Sequence, residues 1–244
     1  MANTAWSASD KTASITLSGS NLIATCNSSV FGGVRAADRQ VTGKHYWEYT
    51  FNSVSGSTGG AGVLSPTYAL NNSSGWLAAA IGACGLAFGG LVAVDGSTSN
   101  LTVGGTAGST VNFGTITNGT VVCVAADGGG RLIWFRLGAA GNWNALAGRD
   151  PATGTGGIST GYLGIAIPIC PAVLLSTNTN QITANFGDTA FTGTAPSGFT
   201  SGFTAGVSIP NSALATQVAI EEWASVATVT APTRPPQFAV TVIT

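Results

Sequence analysis

The side chains best suited to acid–base chemistry in this sequence are its three glutamates, Glu48, Glu221 and Glu222. Hydrolysis of a glycosidic bond needs two carboxylates about 5–9.5 Å apart, and residues two positions apart share one face of a strand. No two acidic residues of the chain have that spacing, and the adjacent Glu221 and Glu222 would point to opposite faces of a strand. We therefore expect no catalytic residues and no enzymatic activity, although glycan hydrolysis stays open because acids distant in sequence can converge.

A nucleophilic relay or a metal site is equally hard to build from this chain. His45 is the single histidine, so any Ser/His/Asp arrangement would depend on it. Its place near Trp47 in an alternating apolar run favours a core or rim position instead. The four cysteines, which lie dozens of residues apart without a Cys-x-x-Cys pair, are Cys26, Cys84, Cys123 and Cys170. We expect reduced, structural cysteines, with disulfides as the alternative, and neither a metal nor a cofactor.

The loop region from Gly138 to Gly157 carries the residues most suited to contact a ligand. Trp143, Arg149 and Asp150 combine an aromatic face with a planar cation and a carboxylate, which suits sugars or peptides. The alternative is structural: Trp143 packs under its own loop and Arg149 pairs with Asp150. The glycine-rich stretch 153–157 has no Gly-Lys-Ser/Thr ending, so it predicts a turn rather than a phosphate-binding loop.

Charge is scarce along the whole chain. The 244 residues include 8 Lys and Arg and 9 Asp and Glu, or 7%, whereas soluble domains average about 25%. Nucleic acid is not an expected partner, because binding to it depends on a basic surface that neutralises phosphates. Hydrophobic residues make up 44% of the chain and include six Trp, enough to bury a core and to exclude an intrinsically disordered protein.

The sequence predicts neither a secretory leader nor a membrane span. Its first residues lack both a basic start and an apolar stretch of about 7–15 residues. Residues Trp76–Val94 carry no charge and are about long enough to cross a bilayer, so a transmembrane helix is the alternative there. The four glycines of this stretch and the absence of flanking Lys or Arg favour two or three short buried strands instead.

Dense turn residues and little helical periodicity predict an all-β fold. The clearest strand is Lys44–Phe51, where alternation places one face in the core: His45, Trp47, Tyr49 and Phe51. Further strands are predicted at 13–17, 21–25, 61–64, 120–126, 131–136, 164–167, 172–175 and 181–186. Asp127-Gly128-Gly129-Gly130 predicts a hairpin turn, because glycine adopts the positive φ of tight turns. Many short strands with such turns are typical of a two-sheet antiparallel β-sandwich.

The composition changes near residue 205, which divides the chain into a predicted sandwich domain, 1–204, and a C-terminal extended β arm, 205–244. Prolines at 232, 235 and 236 confine that region to linkers and edge strands. The arm is too small to form its own core, so we expect it to dock on another chain or on its own sandwich through two apolar stretches, Gln217–Val226 and Phe238–Thr244. The residues expected to make those contacts are Val218, Ile220, Trp223, Phe238 and Val240.

An ordered set of short motifs covers about residues 10 to 200. The motifs are Gly43-Lys44-His45-Tyr46-Trp47-Glu48, Leu132-Ile133-Trp134-Phe135, Asn142-Trp143-Asn144, residues 150–158, Pro171-Ala172-Val173, Thr183-Ala184-Asn185-Phe186-Gly187, Phe191 and Pro196-Ser197-Gly198-Phe199. In order and spacing they resemble the SPRY family, in the form found in bacteriophage and prophage structural proteins. Residues 215–223 also resemble segments of tail-associated phage proteins. The sequence departs from the family in Trp76–Val94, which is rich in Ala and Gly where polar and aromatic residues are usual.

The resemblance implies a concanavalin-like β-sandwich that acts as a binding module. It further implies a non-enzymatic bacteriophage virion surface protein, belonging to a tail fibre, spike or baseplate. The alternatives are a capsid decoration or head-fibre protein, and a free carbohydrate-binding, lectin-like protein or glycan-degrading enzyme. The expected partners are other virion proteins, further copies of the chain in a homo-oligomer, and a host surface glycan or protein. The expected location is the virion, assembled in the host bacterial cytoplasm and released by lysis.

Overall fold

The structure, a computed structural model, describes residues 3–40, 42–56, 59–71, 83–88, 92–94, 111–114, 116–159 and 170–204. Its strands in chain order are β1 (Trp6–Lys11), β2 (Ile15–Ser18), β3 (Ile23–Cys26), β4 (Gly32–Ala36), β5 (Lys44–Ser53), β6 (Gly60–Leu64), β7 (Ala83–Ala87), β8 (Val92–Val94), β9 (Thr120–Asp127), β10 (Leu132–Leu137), β11 (Ile158–Ser159), β12 (Cys170–Leu175), β13 (Gln181–Asn185) and β14 (Thr200–Ser201). Within these ranges the other regular elements are two 3-10 turns, Trp143–Ala145 and Pro151–Thr153. The all-β prediction is confirmed.

The strands of the described ranges form two sheets. The first sheet has the order β1-β4-β12-β6-β7-β8, and the second has the order β11-β10-β9-β5-β13-β3-β2. Neighbouring strands in both sheets are antiparallel. The short β14 is the exception, because it runs parallel to the start of β5, beyond the point where β13 ends. This is the predicted two-sheet antiparallel β-sandwich.

The core lies between the two sheets and is rich in aromatic rings. Strand β5 supplies the expected face, since Trp47, Tyr49 and Phe51 are fully buried. Trp6 from β1 stacks on Tyr49 with ring centroids 6.0 Å apart, and Phe186 meets Trp6 edge-on at 5.2 Å. Such offset and edge-to-face contacts add to the stabilisation from buried area. The alternation in Lys44–Phe51 therefore predicted the core face of this strand.

The opposite face of β5 is buried as well, beneath a segment that the alternation did not predict. Residues 188–204, called the strap below, cross the outer face of the second sheet as far as Phe199, and Phe203 then enters the core between the sheets. The ring of Phe191 packs edge-on against Tyr46 at 5.0 Å, and Phe199 packs against Trp134 at 6.3 Å. Tyr46 and Trp134 are fully buried as a result. The second sheet thus has a packed layer on both faces where the strap covers it.

The predicted hairpin at Asp127 joins β9 and β10. The Asp127 carboxylate accepts a hydrogen bond from the backbone N–H of Gly130 at 2.8 Å, and Leu132 pairs with Asp127. The ammonium group of Lys44 on β5 lies 3.6 Å from the same carboxylate. The turn is therefore fixed by its own aspartate, and its positive φ of 52° falls on Arg131 rather than on the glycines.

Several predictions fall wholly or partly outside the described residues. Of Trp76–Val94, the structure describes β7 and β8, two short strands as expected there. The predicted strand 164–167 and the arm lie outside the described residues, together with its contact residues Val218, Ile220, Trp223, Phe238 and Val240. The domain boundary at 204 stays a prediction. None of the described residues belongs to a helix long and apolar enough to cross a membrane.

Candidate functional site

The loop that carries the predicted contact group is fixed to β10 by a buried asparagine. Asn144 adopts φ 45° and is completely buried. Its side-chain oxygen accepts from the Phe135 N–H at 2.9 Å, and its amide nitrogen donates to the Gly156 carbonyl at 2.9 Å. One side chain therefore joins the loop to β10 and to Gly156 near the end of the loop. This residue was not predicted from the sequence, where the only available signal was an asparagine, which tolerates positive φ, directly after Trp143.

Trp143 packs under its own loop, with 9% of its surface exposed. The guanidinium carbon of Arg136 on β10 lies 4.4 Å from the centre of the Trp143 ring, a cation–π contact. The same arginine donates to the Thr194 carbonyl of the strap at 3.4 Å. Trp143 thus stacks with Arg136, which links the loop to the strap.

The side chains of Arg149 and Asp150 make different contacts. The Asp150 carboxylate caps the 3-10 turn Pro151–Thr153 by accepting from the Ala152 N–H at 2.9 Å. Arg149 is partly exposed, and its side chain lies against Gly156. Within the described residues Arg149 forms neither an ion pair nor a hydrogen bond, and it does not pair with Asp150. Leu146 on the same loop is 47% exposed. The outer surface of the loop thus offers Arg149 and Leu146, while Trp143 lies beneath it, and the ligand role of the group stays a prediction.

Glu48, the only glutamate among the described residues, fastens the strap to the sheet. It is 2% exposed. Its Oε1 accepts from the Tyr46 hydroxyl at 2.6 Å and from the Gly193 N–H at 2.7 Å, and its Oε2 accepts from the Thr192 N–H at 2.8 Å. Hydrogen bonds to a carboxylate are among the strong ones in proteins. The sequence offers Glu48 no second carboxylate at catalytic spacing, and in the structure Glu48 is a hydrogen-bond acceptor that holds the strap.

Two neighbours of Glu48 are held in their protonated forms. Burial raises the pKa of the Tyr46 hydroxyl, and its hydrogen bonds to Cys123 and Glu48 raise it further. Burial likewise raises the pKa of the Cys123 thiol, which lies 3.6 Å from Glu48 Oε1. A thiol with a raised pKa is a poor nucleophile at neutral pH. All four cysteines are buried and form no disulfide, as the sequence analysis expected.

His45 belongs to the core rim. Its ring lies 5.2 Å from Phe203 of the strap, and its Nε2 lies 3.2 Å from the Thr42 carbonyl. Burial lowers the pKa of His45, although the bond to Thr42 acts in the opposite direction. Nδ1 is buried without a hydrogen-bond partner among the described residues. The contacts of the ring with Phe203 and with the Thr42 carbonyl agree with a packing position.

An open cleft of about 580 Å³ lies outside the sandwich core, at the side of the first sheet where β1 and β4 pair. Its walls come from the β1–β2 turn, the β3–β4 loop, β4 and the segment after β6. The lining residues are Ser9, Asp10, Lys11, Thr12, Ala13, Ser14, Val30, Arg35, Tyr68, Leu70 and Asn71. The cleft could not be predicted from the sequence, because its walls come from segments distant in the chain that become neighbours only in the folded sheet.

Asp10 and Arg35 line the cleft and form an ion-pair triad with Arg39. Asp10 Oδ1 lies 2.9 Å from Arg35 Nη1, and Asp10 Oδ2 lies 3.3 Å from Arg39 Nη2. The Arg35 side chain is 4% exposed, and it also donates to the carbonyls of Ser65 and Tyr68. A buried guanidinium with all three nitrogens engaged is rigid. Asp10 is thereby held with 31% of its side chain exposed to the cleft.

The acidic groups of the described ranges are mostly engaged in structural contacts. Asp10 pairs with two arginines, Glu48 holds the strap, Asp127 and Asp150 cap turns, and Asp188 accepts from Asn3 at 3.2 Å. No group of three His, Cys, Asp or Glu side chains among the described residues could hold a metal ion. These contacts leave few groups available for acid–base chemistry in this part of the chain.

Comparisons with known proteins identify the fold. The SPRY domain of human HERC1 superposes with a TM-score of 0.52 at 12% identity, covering 76% of this chain and 99% of that domain. A human SPRY domain superposes with a TM-score of 0.44 at 15% identity, covering 72% and 98%, and the PSpry domain of TRIM65 gives 0.45 at 13%, covering 75% and 89%. No family model and no curated protein matches the sequence. The superposition on the HERC1 domain shows that the sandwich described here has the fold of the SPRY domain.

Proposed function

We propose that this protein is a non-enzymatic binding and structural component of a bacteriophage virion surface, belonging to a tail fibre, spike or baseplate. The main support for a non-enzymatic role is that most of the described acidic groups are engaged in ion pairs, turn caps and the strap contact. A general acid and its partner carboxylate must both be available to the substrate. Recognition by surface contacts needs no such pair.

The outer face of the second sheet supports a role inside an assembly. Beyond the strap, the strands β2, β3 and β13 carry no Lys, Arg, Asp or Glu. Their outward hydroxyl and amide groups bond to one another across strands, as Gln181 does to Thr25 at 2.9 Å and Thr183 to Asn52 at 2.7 Å. Desolvating an uncharged polar face of this kind against a neighbouring protein costs little free energy, because no ion must leave water.

The virion assignment itself depends on the sequence motifs that resemble phage structural proteins. Purified particles from the bacterium that carries the gene provide the test. Antibodies against the recombinant protein should label intact particles, and mass spectrometry of washed particles should contain the chain. Labelling at the tail supports the favoured location, and labelling at the head selects the capsid-decoration alternative. Recovery of the protein only from the cell fraction would contradict a virion role.

Polysaccharide digestion separates this proposal from the glycan-degrading alternative. Incubation of host polysaccharide with the protein should leave its chain length unchanged in size-exclusion chromatography. Shortening that disappears when one Asp or Glu is replaced would show catalysis.

The predicted arm is tested by comparing the full chain with a chain ending at Ala205. We expect the full chain to be oligomeric in light scattering and the shortened chain to be a folded monomer, because the arm carries the apolar stretches that would pair with a neighbour. Equal monomeric masses, or loss of the fold on shortening, would instead place the arm in the core of its own domain.

A further inference from the structure

We propose that the cleft between the β1–β2 turn and the segment after β6 binds a neutral saccharide. The proposal rests on the binding role proposed above and names the site and the ligand class. The cleft volume of about 580 Å³ falls in the range of about 300–1,000 Å³ found for small-ligand sites. Its lining combines a fixed carboxylate, hydroxyl groups and exposed apolar carbon. These groups match the alternating hydroxyl and C–H surfaces of a sugar ring.

Asp10 supplies the fixed acceptor. Each of its oxygens already takes one bond from an arginine, at 2.9 Å from Arg35 and 3.3 Å from Arg39. A carboxylate has about four lone-pair positions, so positions for further donors remain on the 31% of the side chain that is exposed. Because both arginines hold the carboxylate in place, a sugar hydroxyl would meet an acceptor that loses little side-chain entropy on binding.

Two serines supply groups that can either donate or accept. Ser9 Oγ lies 3.2 Å from Ser7 Oγ, and Ser14 Oγ lies 2.9 Å from Thr12 Oγ1, with either partner able to donate. Ser7 and Thr12 in turn accept from the backbone N–H groups of Asp10 and Gly33. Rotation of each hydroxyl lets Ser9 and Ser14 present a proton or a lone pair toward the cleft. Hydroxyl ligands, which also donate and accept, suit such adaptable partners.

Val30 supplies the apolar contact. It is 65% exposed, the largest exposure of any large hydrophobic side chain in the described ranges, and it lines the cleft together with the partly buried Leu70. An exposed valine in the lining would pack against the C–H face of a bound ring. The lining therefore offers both polar groups and apolar carbon.

The charges of the cleft favour a neutral ligand over an acidic one. The guanidinium groups of Arg35 and Arg39 are paired with Asp10, and the Lys11 ammonium donates to the Ile15 carbonyl at 2.7 Å. A ligand carboxylate would lie beside Asp10 and would have to compete for cations that are already engaged. Repulsion between the ligand carboxylate and the neighbouring Asp10 carboxylate would oppose binding.

The test uses the full chain on an array of neutral oligosaccharides and their carboxylate-bearing counterparts. The neutral oligosaccharide with the highest signal is then titrated by calorimetry against the wild type, Val30→Asp and Ser9→Ala. A charge at Val30 should weaken binding by more than about tenfold, and loss of one hydroxyl by about fivefold. The matched control is Ser55→Asp, which places the same charge on an exposed residue after β5, outside both the cleft and the Trp143 loop, and should leave affinity unchanged.

Three results would overturn the proposal. They are binding restricted to acidic oligosaccharides or absent from the array, unchanged affinity of Val30→Asp, and loss of affinity in Ser55→Asp instead. Thermal melting of each variant confirms that folding is intact, which is expected because the changed side chains are exposed. Failure of the particle-labelling experiment would contradict the virion role and leave the saccharide result standing, so the two proposals fail independently.

Discussion

Glu48 Oε1 and the backbone nitrogen of Gly193 lie 2.7 Å apart, although 145 positions separate them in the chain. This contact fastens the strap over the middle of the second sheet. It requires glycine, because a Cβ at position 193 would lie 2.6 Å from the Tyr46 hydroxyl, 2.7 Å from Arg136 Nη2 and 2.9 Å from Cys123 Sγ. The closeness of the backbone to the sheet is what brings the N–H within reach of the carboxylate.

Replacing Glu48 with Gln should destabilise the protein by about 1–3 kcal/mol. The amide has nearly the same shape, but its NH₂ group would face one of the backbone N–H donors of Thr192 and Gly193. Urea unfolding measures the free-energy change. Asn52→Ala is the control, because it removes an exposed acceptor of the Thr183 hydroxyl and should change stability by less than about 0.5 kcal/mol. Equal effects of the two variants would contradict the structural role of Glu48.

Gly193→Ala should also loosen the strap, by about 1–3 kcal/mol, since a new methyl group in a packed interface displaces its neighbours. Hydrogen exchange of the Thr192 and Gly193 amides should accelerate in this variant. Gly129→Ala serves as the comparison, because its Cβ would meet only Asp127 Oδ1 at 3.6 Å on the exposed hairpin. Unchanged exchange in Gly193→Ala would show that the strap does not lie as close to the sheet as described.

Asp10→Ala should lower the free energy of unfolding by about 2 kcal/mol. The substitution leaves the 4% exposed side chain of Arg35 without its carboxylate, and an uncompensated buried charge costs about 3–5 kcal/mol, reduced here by the exposure of Asp10. Chemical denaturation measures the effect against Asp188→Ala, which removes an exposed carboxylate bonded to Asn3. If both variants lose the same small amount, the Arg35 pair does not stabilise the cleft wall.

The folded protein should lose stability as the pH falls from about 7.5 to about 5.5. Burial lowers the pKa of His45 below its usual value, so the unfolded chain takes up a proton first and protonation favours unfolding. The contribution of His45 is fully present above the unfolded pKa and is lost as the pH falls through the folded one. His45→Gln should flatten this part of the Tm–pH curve. An identical slope in the variant would assign the pH dependence to other groups.

The sequence predicted the elements whose signals are local. Trp47 and Phe51 alternate with polar residues, and Asp127 is followed by three glycines, so the core face of β5 and the β9–β10 hairpin needed no long-range information. Strand β4 was not predicted, because Gly32, Gly33 and the charged Arg35 suggest a loop until Asp10 neutralises the arginine.

The covered face of β5 and the cleft could not be predicted for a related reason. Glu48 is a polar residue in a strand, and alternation places it on the solvent side. Only the folded chain brings Thr192 and Gly193 over it, and only the pairing of β1 with β4 brings Asp10 to Arg35. Contacts between residues far apart in sequence leave no periodic signal.

The two halves of the predicted contact group should behave differently on substitution. Trp143→Ala should destabilise the protein by about 3 kcal/mol, because the buried ring packs against Arg136 at 4.4 Å. Arg149→Ala should leave stability within about 0.5 kcal/mol, because its guanidinium bonds to no other described residue.

If the loop recognises the host, Arg149→Ala should nevertheless weaken binding of the labelled protein to host cells. Arg131→Ala, which removes an exposed arginine of the β9–β10 hairpin, is the charge-matched control. Equal loss of cell binding in both arginine variants would indicate a general charge effect, and unchanged binding in Arg149→Ala would exclude this arginine from the recognition surface.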